Sequence, residues 1–466
     1  YKNRAKQAGA KSSDKLLVWL QETPFRRLSQ EVWADKISVG DSWPYKYLSG
    51  NTRTKEFLMT QDMCKAVSVG IRNLTDKPVK LNIDIEPLKR AGRSYPDSIQ
   101  CRVQSFIPYG VDRQKWTPFF LLRRPYVYVP PLNIAGIWIT VNTKSMPAGE
   151  YTGNIKISGT GVEKYNIVLK VRVANFRIEP KNPVLVDGWT KPHEGESYLK
   201  DFVEHGMNVW QRDITKEEMK KWGIKQAHIS AWSADKAKEF VEHVKSLGLD
   251  YNDYFVGILD EPGGKTETEL KRFIDIAKAI KQVDPKVRIS FNPGESAALP
   301  TFQILAPYCD FWIPYSLHVF SPYYDNSKKK EIYLNKPWMW YTTPCLWDKV
   351  ARDPGIRIAP SQPGNCVGVA FFALNYPWRD QWDTAYEHIP DASTMGAVIS
   401  RHGPVSSIIW EEIREAAQTA NLAMMVREKL KVKTFDEVKD PEIQKLIKEG
   451  TDRDLIQWLE KYGVNS

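Results

Sequence analysis

The chain has 466 residues, long enough for two or three domains with cores of their own. Its apolar fraction of 42% and charged fraction of 26% are those of an ordinary globular protein, and no apolar run reaches the ~18–20 residues that span a bilayer. Lys and Arg (66) outnumber Asp and Glu (56) for a net charge of +10, but the basic residues are spread along the chain. With only short runs such as Lys328-Lys329-Lys330, the concentrated stripe of a nucleic-acid binder is excluded.

From Ser12 to Pro180 the pattern is β. Lys65–Arg72 alternates apolar and polar residues, Asn73–Asp76 supplies a turn, and Val79–Ile85 alternates again. Ala135–Val141 leads through the turn Met146–Glu150 into Tyr151–Ile157, and Tyr165–Val173 repeats the alternation. Short strands punctuated by Pro and Gly predict a β-sandwich, which buttresses the remainder of the chain.

After Pro180 short apolar runs alternate with helical stretches, the pattern of βα units. Strands are expected at Val184–Asp187, Met207–Trp210, Gln226–Ile229 and Phe255–Leu259, then at Arg288–Asn292, Phe311–Pro314, Trp338–Tyr341 and Val367–Leu374. Eight is the number a closed (β/α)8 TIM-type barrel requires. Ser233 is the expected N-cap of a helix with Phe240, Val241, Val244 and Leu247 on one face and Gly248 at its end. Thr266 and Glu269 form a capping box for a second helix that closes at Pro285. From Ile408 the chain is helical, with a break near Asp440-Pro441. The predicted fold is multidomain β plus α/β: a sandwich over 1–180, a (β/α)8 barrel over 181–405 and a C-terminal helical segment over 406–466.

Barrels carry their functional residues where strands end. The strand ends offer Asp187, Gly188 and Trp189, then Asp213, then His228 and Trp232, then Asp260, Glu261 and Pro262. Asn292, Tyr315, the Trp340–Tyr341–Thr342 step, and Asn375, Tyr376 and Trp378 complete the series. Acids and amides bond hydroxyls and aromatic rings cover sugar faces, so the mixture points to a glycan. The totals of 17 Trp and 21 Tyr agree with that, although core packing accounts for most of them. His228 also reads as a satisfied core histidine, Asn292 as a turn cap, Tyr315 as a rim residue, and Trp189 and Trp378 as packing.

Five cysteines (Cys64, Cys101, Cys309, Cys345, Cys366) and seven histidines show no metal-ligand spacing, so no metal and no cofactor is expected. The chemistry centres on Phe255–Pro262, where an apolar strand ends in Asp260–Glu261 and Pro262 stops it. The same dipeptide at Asp436–Glu437 reads only as a helix N-terminus. Facing carboxyls ~5 Å apart serve ordinary retaining glycosidases. Neighbouring acids diverge and suit a different arrangement, in which a 2-acetamido group of the substrate attacks its own anomeric carbon. One acid then holds the amide while the other moves the proton. A structural or metal-binding role for the pair stays open at this point.

Leu259–Pro262 resembles the acid pair of glycoside hydrolase family 123, the β-N-acetylgalactosaminidases. Pro147–Gly153 resembles a hairpin of that family's N-terminal β-domain. Trp338–Tyr341, Asn375–Trp378 and Ile409–Glu415 resemble later landmarks, in the same order. The resemblance implies an exo-acting, retaining, substrate-assisted hydrolase of terminal β-N-acetylhexosaminides. It assigns Asp260 to orient the acetamide, Glu261 to act as acid and then base, and Tyr341 or Trp340 to line the acetamide pocket. The remaining strand-end candidates, Trp189, His228, Trp232, Asn292, Tyr315, Asn375 and Trp378, would contact sugar. Departures after Arg414-Glu415 and before Asn375 leave two alternatives: a hydrolase of another, possibly sulfated, glycan, and a glycan-binding protein without catalysis. The expected partner is a glycan, with no nucleic acid and no membrane span. The expected location is extracellular or periplasmic, although Tyr1–Lys15 shows no signal peptide.

Overall fold

A computed structural model of the chain describes residues 15–21, 52–109, 115–190, 196–294, 296–320, 327–342, 356–375, 398–400 and 403–463. The β-rich part contains β1 (Leu16–Gln21), β2 (Thr52–Gln61), β3 (Cys64–Asn73), β4 (Val79–Arg90), β5 (Arg93–Tyr95) and β6 (Ile99–Tyr109). It continues with β7 (Lys115–Leu122), β8 (Tyr126–Val129), β9 (Ile134–Asn142), β10 (Gly149–Ser158) and β11 (Tyr165–Arg177). One sheet has the order β1-β3-β9-β6-β7; the other runs β2-β11-β10-β4-β5, with β8 on β4. Alternation decides which residues face inward. Val67, Val69 and Ile71 of β3 and Ile137, Ile139 and Val141 of β9 share a core with Ile155 and Ile157 of β10 and Ile167, Leu169 and Val171 of β11. Tyr151 locks the entry to the β10–β11 hairpin, its hydroxyl donating to the Pro147 carbonyl at 2.6 Å.

The α/β part holds β12 (Leu185–Thr190), β13 (Val209–Trp210), β14 (Gln226–Ala231), β15 (Tyr254–Asp260), β16 (Ile289–Asn292), β17 (Phe311–Trp312), β18 (Trp338–Thr342) and β19 (Cys366–Asn375). All eight predicted strands are present, within a few residues of their expected ends. They form one eight-stranded parallel sheet in the order β12-β19-β18-β17-β16-β15-β14-β13. Asn208 bridges the two edges of that order. Its side-chain oxygen accepts from Val186 N at 2.8 Å, its amide donates to Val184 O at 2.8 Å, and its backbone N–H donates to Val186 O at 3.2 Å. One residue thereby satisfies edge groups that no strand pairs, and nearly closes the barrel.

Helices α1 (Glu196–Glu204), α2 (Lys216–Trp222), α3 (Ala237–Ser246), α4 (Glu267–Val283), α5 (Leu299–Leu305), α6 (Ser316–Phe320) and α7 (Ser327–Tyr333) connect the strands. Thr266 and Glu269 cap α4 reciprocally, as predicted. Ser233 does not cap α3: the helix starts later, after Lys236, which offers no side-chain cap. Outward strand residues such as Val256, Ile258, Trp312, Trp338 and Trp340 pack with helix residues such as Val241, Leu270 and Ile274. Inward ones, Leu185, Phe255, Phe311, Ile313, Met339, Tyr341 and Ala370, fill the barrel. Phe255 and Phe311 stack at 4.6 Å and so floor the open end.

A short hairpin, β20 (Val398–Ser400) and β21 (Gly403–Val405), precedes α8 (Ile408–Lys429), α9 (Pro441–Glu449) and α10 (Asp452–Tyr462). Asp436–Glu437 lies in a 3-10 turn before α9, which is instead capped by Asp440 with Pro441 in its first turn. Helix α8 belongs to two cores. Its first half gives Ile409, Trp410, Ile413 and Ala417 to the barrel. Its second half gives Leu422, Ala423, Met425 and Val426 to the sandwich. A helix apolar on different faces along its length explains why the two parts are packed together rather than strung on a linker. Among the described residues no helix is long and apolar enough to cross a membrane.

Candidate active site

The inner face of the barrel becomes polar at its C-terminal end. Asp187, two residues after inward Leu185, is fully buried. Its Oδ2 accepts from Nδ1 of His228 at 2.9 Å, and its Oδ1 accepts from Gln211 Nε2 at 2.9 Å and Gly188 N at 2.7 Å. The carboxylate places the imidazole proton on Nδ1 and turns Nε2 along the inner face toward β15. Gly257 makes that orientation possible: a Cβ there would stand 2.4 Å from His228 Nε2.

Strict alternation would turn Asp260 outward, since Phe255 and Gly257 face in and Val256 and Ile258 face out. A β-bulge prevents this. Gly257 pairs with Ser290, but Asp260, not Leu259, pairs with Asn292, so β15 carries one extra residue there. The extra residue reverses the facing of the strand beyond it, the use to which bulges beside active sites are put. Asp260 then meets inward Asn292, whose amide donates to Oδ1 at 2.8 Å. Glu261 comes next, at φ 50°, a left-handed conformation that non-glycine residues rarely adopt. Gly294 packs against it so closely that an added Cβ would lie 2.8 Å from the Glu261 Cβ. Behind Gly294, buried His318 donates from Nε2 to its carbonyl at 2.8 Å, and Lys329 meets His318 Nδ1 at 3.1 Å and the Ala297 carbonyl at 2.9 Å. Burial lowers the His318 pKa, which keeps Nδ1 available to accept from Lys329.

Both acids reach solvent at the mouth. Enclosure by the barrel wall nevertheless raises the Asp260 pKa, against the pull of the Asn292 hydrogen bond and the His228 imidazole. Tyr341, buried on the inner face of β18, has its phenol pushed far up by burial and then by Asp260 and Glu261. It therefore stays a hydroxyl donor beside both carboxyls. Tyr315 forms a β-bridge with Tyr341, their rings 5.4 Å apart.

Asp260, Glu261, Asn292, His228, Tyr341 and Tyr315 are thus brought to one mouth. Trp340 is not. Alternation turns it into the layer between strands and helices, where it packs against Phe320 at 5.2 Å and Trp338 at 6.1 Å. Of the two residues expected to line an acetamide pocket, Tyr341 faces the barrel interior and Trp340 does not. Asp213 bonds His243 at 2.8 Å on the surface. Trp232 is 60% exposed and faces a hollow on the flank of the mouth. Trp189 ends up in β12 and Asn375 closes β19, beside Thr190 in register, but their side chains lie outside the described residues, as does all of Trp378. Sequence reasoning missed Gln211, Gly257, Gly294, His318 and Lys329. The one signal available was glycine next to the strand ends, in Gly257 and Pro293-Gly294. No group of three or more His, Cys, Asp or Glu placed to hold a metal occurs among the described residues.

No protein-family model and no curated protein matches the chain in sequence. Solved structures do match in shape. A family 123 glycoside hydrolase from Clostridium perfringens, studied for glycolipid glycan hydrolysis, superposes with a TM-score of 0.68, covering 96% of this chain and 98% of its own, at 12% identity. A family 39 glycoside hydrolase from Bacteroides cellulosilyticus WH2 (TM-score 0.37, 11% identity, 78% and 81% covered) matches far more loosely. So does a GH2 β-galacturonidase from Eisenbergiella tayi (TM-score 0.36, 11% identity, 78% and 72% covered). The chain has the sandwich-plus-barrel fold of a family 123 glycoside hydrolase over nearly its whole length. That is the fold its short motifs implied.

Proposed function

We propose that the protein is a retaining glycoside hydrolase that releases terminal β-N-acetylhexosamine, with the substrate's own acetamide as nucleophile. The observation that carries this reading is the bulge at Asp260. It turns one acid inward onto Asn292 and leaves its neighbour Glu261 at the same mouth in a left-handed conformation. Two carboxyls from adjacent residues do not face each other across a glycosidic bond, but they can serve two ends of one sugar.

In this mechanism the acetamide oxygen attacks the anomeric carbon as the bond to the leaving oxygen breaks, and Glu261 gives that oxygen its proton. Asp260, held by Asn292, accepts the acetamide N–H and stabilises the positive oxazolinium ion. Tyr341 donates to the acetamide oxygen and sets its direction of attack. The Glu261 carboxylate then takes a proton from water, which opens the ring with net retention. The anionic form of Asp260 is the working one, so activity rises with pH through its raised pKa.

The test is hydrolysis of chromogenic β-GalNAc and β-GlcNAc glycosides by wild type and by Glu261→Gln, with a thiazoline mimic of the oxazolinium ion as inhibitor. Turnover lost in the variant and blocked by the thiazoline supports the proposal. Turnover of glycosides lacking the acetamide, or none of any glycoside, refutes it.

A further inference from the structure

Trp232, beside the mouth, takes no part in this chemistry. Trp232 comes directly after the last residue of β14, one βα unit before the acid pair, and its side chain stays in solvent although its backbone is held. The strand fixes the chain up to Ala231, and Arg272 reaches from α4 to the Trp232 carbonyl, 3.4 Å away. The indole walls a hollow of about 550 Å³ together with Asp235, Thr268, Lys271, Arg272 and Asp275.

The position of the hollow is as informative as its lining. One side is the loop after β14 and the other is the N-terminal half of α4, the helix that the Asp260–Glu261 loop enters. Gly264 in that loop touches α4 closely, an added Cβ falling 2.7 Å from the Glu269 Cβ, so catalytic loop and hollow share one rigid wall. An indole face beside a hydroxyl, carboxylates and a guanidinium is the chemistry that binds a pyranose: the ring's apolar face on the indole, its hydroxyls on the polar rim.

We infer that the Trp232 hollow is an accessory sugar site that takes a pyranose ring of the same glycan chain, beyond the bond being cleaved. That a bond is cleaved rests on the glycosidase reading; the binding of the ring does not. The enzyme is then built for oligosaccharide chains rather than for small glycosides, and part of its specificity lies outside the barrel mouth.

Binding to the inactive Glu261→Gln protein tests this without relying on turnover. Calorimetric affinities are measured for a β-GalNAc-terminated tetrasaccharide and for methyl β-GalNAc, in that background and with Trp232→Ala or Trp232→Phe added. The expected result is a preference for the long ligand that falls about tenfold with Trp232→Ala, the size of one aromatic contact, and is largely restored by Trp232→Phe. A preference unaltered by Trp232→Ala, or no preference in the parent, overturns the inference. Should wild type cleave no β-N-acetylhexosaminide while the Trp232-dependent preference persists, the proposed reaction fails and the accessory site stands. Cleavage without that preference gives the converse.

Discussion

Glu411 at the seam between sandwich and barrel and Asp260 at the barrel mouth are carboxylates held in opposite ways. At the seam, Glu411 of α8 meets Arg102 of β6 at 2.6 Å, Ser406 at 2.8 Å and His205 at 3.4 Å, with Arg414 bonded to its other oxygen. Burial would raise its pKa, but Arg102 and then Arg414 overturn that and hold it well below the ordinary range. At the mouth, Asp260 receives an amide, and enclosure keeps its pKa raised. Glu411 is locked as an anion between two guanidiniums, whereas Asp260, the acid proposed to work in the reaction, has no such partner.

The largest expected effect separates the two regions by what they lose. Glu261→Gln lowers glycoside hydrolysis by about 10³-fold and leaves the thermal unfolding midpoint in place, because Gln accepts the same backbone conformation. An inactive variant that is also strongly destabilised would make Glu261 a structural residue and erase the contrast.

Glu411→Gln comes next, with the opposite signature. It leaves Arg102 and Arg414 facing each other without an intervening anion, which costs about 3 kcal/mol in urea unfolding. Activity per folded molecule is retained. Two transitions replacing one would show that the seam couples sandwich and barrel, and an unchanged midpoint would show that it does not. Other seam bonds run from the same helix to β3: Cys64 N donates to Gln418 Oε1 at 2.7 Å, and Ala66 N to Glu415 Oε1 at 2.5 Å.

The two regions also differed in how far the sequence revealed them. The strands, their number and the acid pair were readable because apolar runs of period two and the break at Pro262 are local patterns. Which way Asp260 points was not readable: periodicity faces it outward, and only the register with β16 shows the extra residue that turns it in. Trp340 and Tyr341 show the reverse, since alternation alone separates the packing residue from the site residue once inward Met339 sets the phase. The seam was hidden altogether. Ile409–Glu415 is rich in charge, yet Glu411, Arg414 and Glu415 are buried because α8 lies between the sandwich and the barrel. Charge buried by tertiary packing leaves no periodic trace.

Gly294→Ala is expected to have an intermediate effect and to touch both properties. Its φ of 76° disfavours any side chain, and the new Cβ would press on the Cβ of Glu261 2.8 Å away. A loss of roughly 1–2 kcal/mol in stability should accompany a fall in kcat larger than the change in KM, because the displaced group is the one proposed to donate the proton. A change confined to KM would mean that the segment behind Glu261 shapes binding instead. Lys329→Met, which removes the donor to His318 Nδ1, should reproduce a weaker version of the same split.

The smallest effect is the sharpest test of the contrast, because its sign reverses between the two regions. A carboxyl with a raised folded pKa contributes stability that is present below its unfolded pKa and lost as pH rises through the folded value. That is the case of Asp260. A carboxyl with a depressed folded pKa contributes stability present above its unfolded pKa and lost as pH falls through the folded value, which is the case of Glu411. Asp260→Asn should therefore abolish activity while gaining about 0.5 kcal/mol at neutral pH, a gain kept small by solvent at the mouth and gone below about pH 4. Glu411→Gln should cost most at neutral pH and progressively less only in strong acid. Unfolding free energies of the two variants, plotted against pH as differences from wild type, should have opposite signs at neutral pH and converge toward zero in acid. Two differences of the same sign at neutral pH would mean that Asp260 is held as a structural anion, and the division between a locked and a working carboxylate would fall.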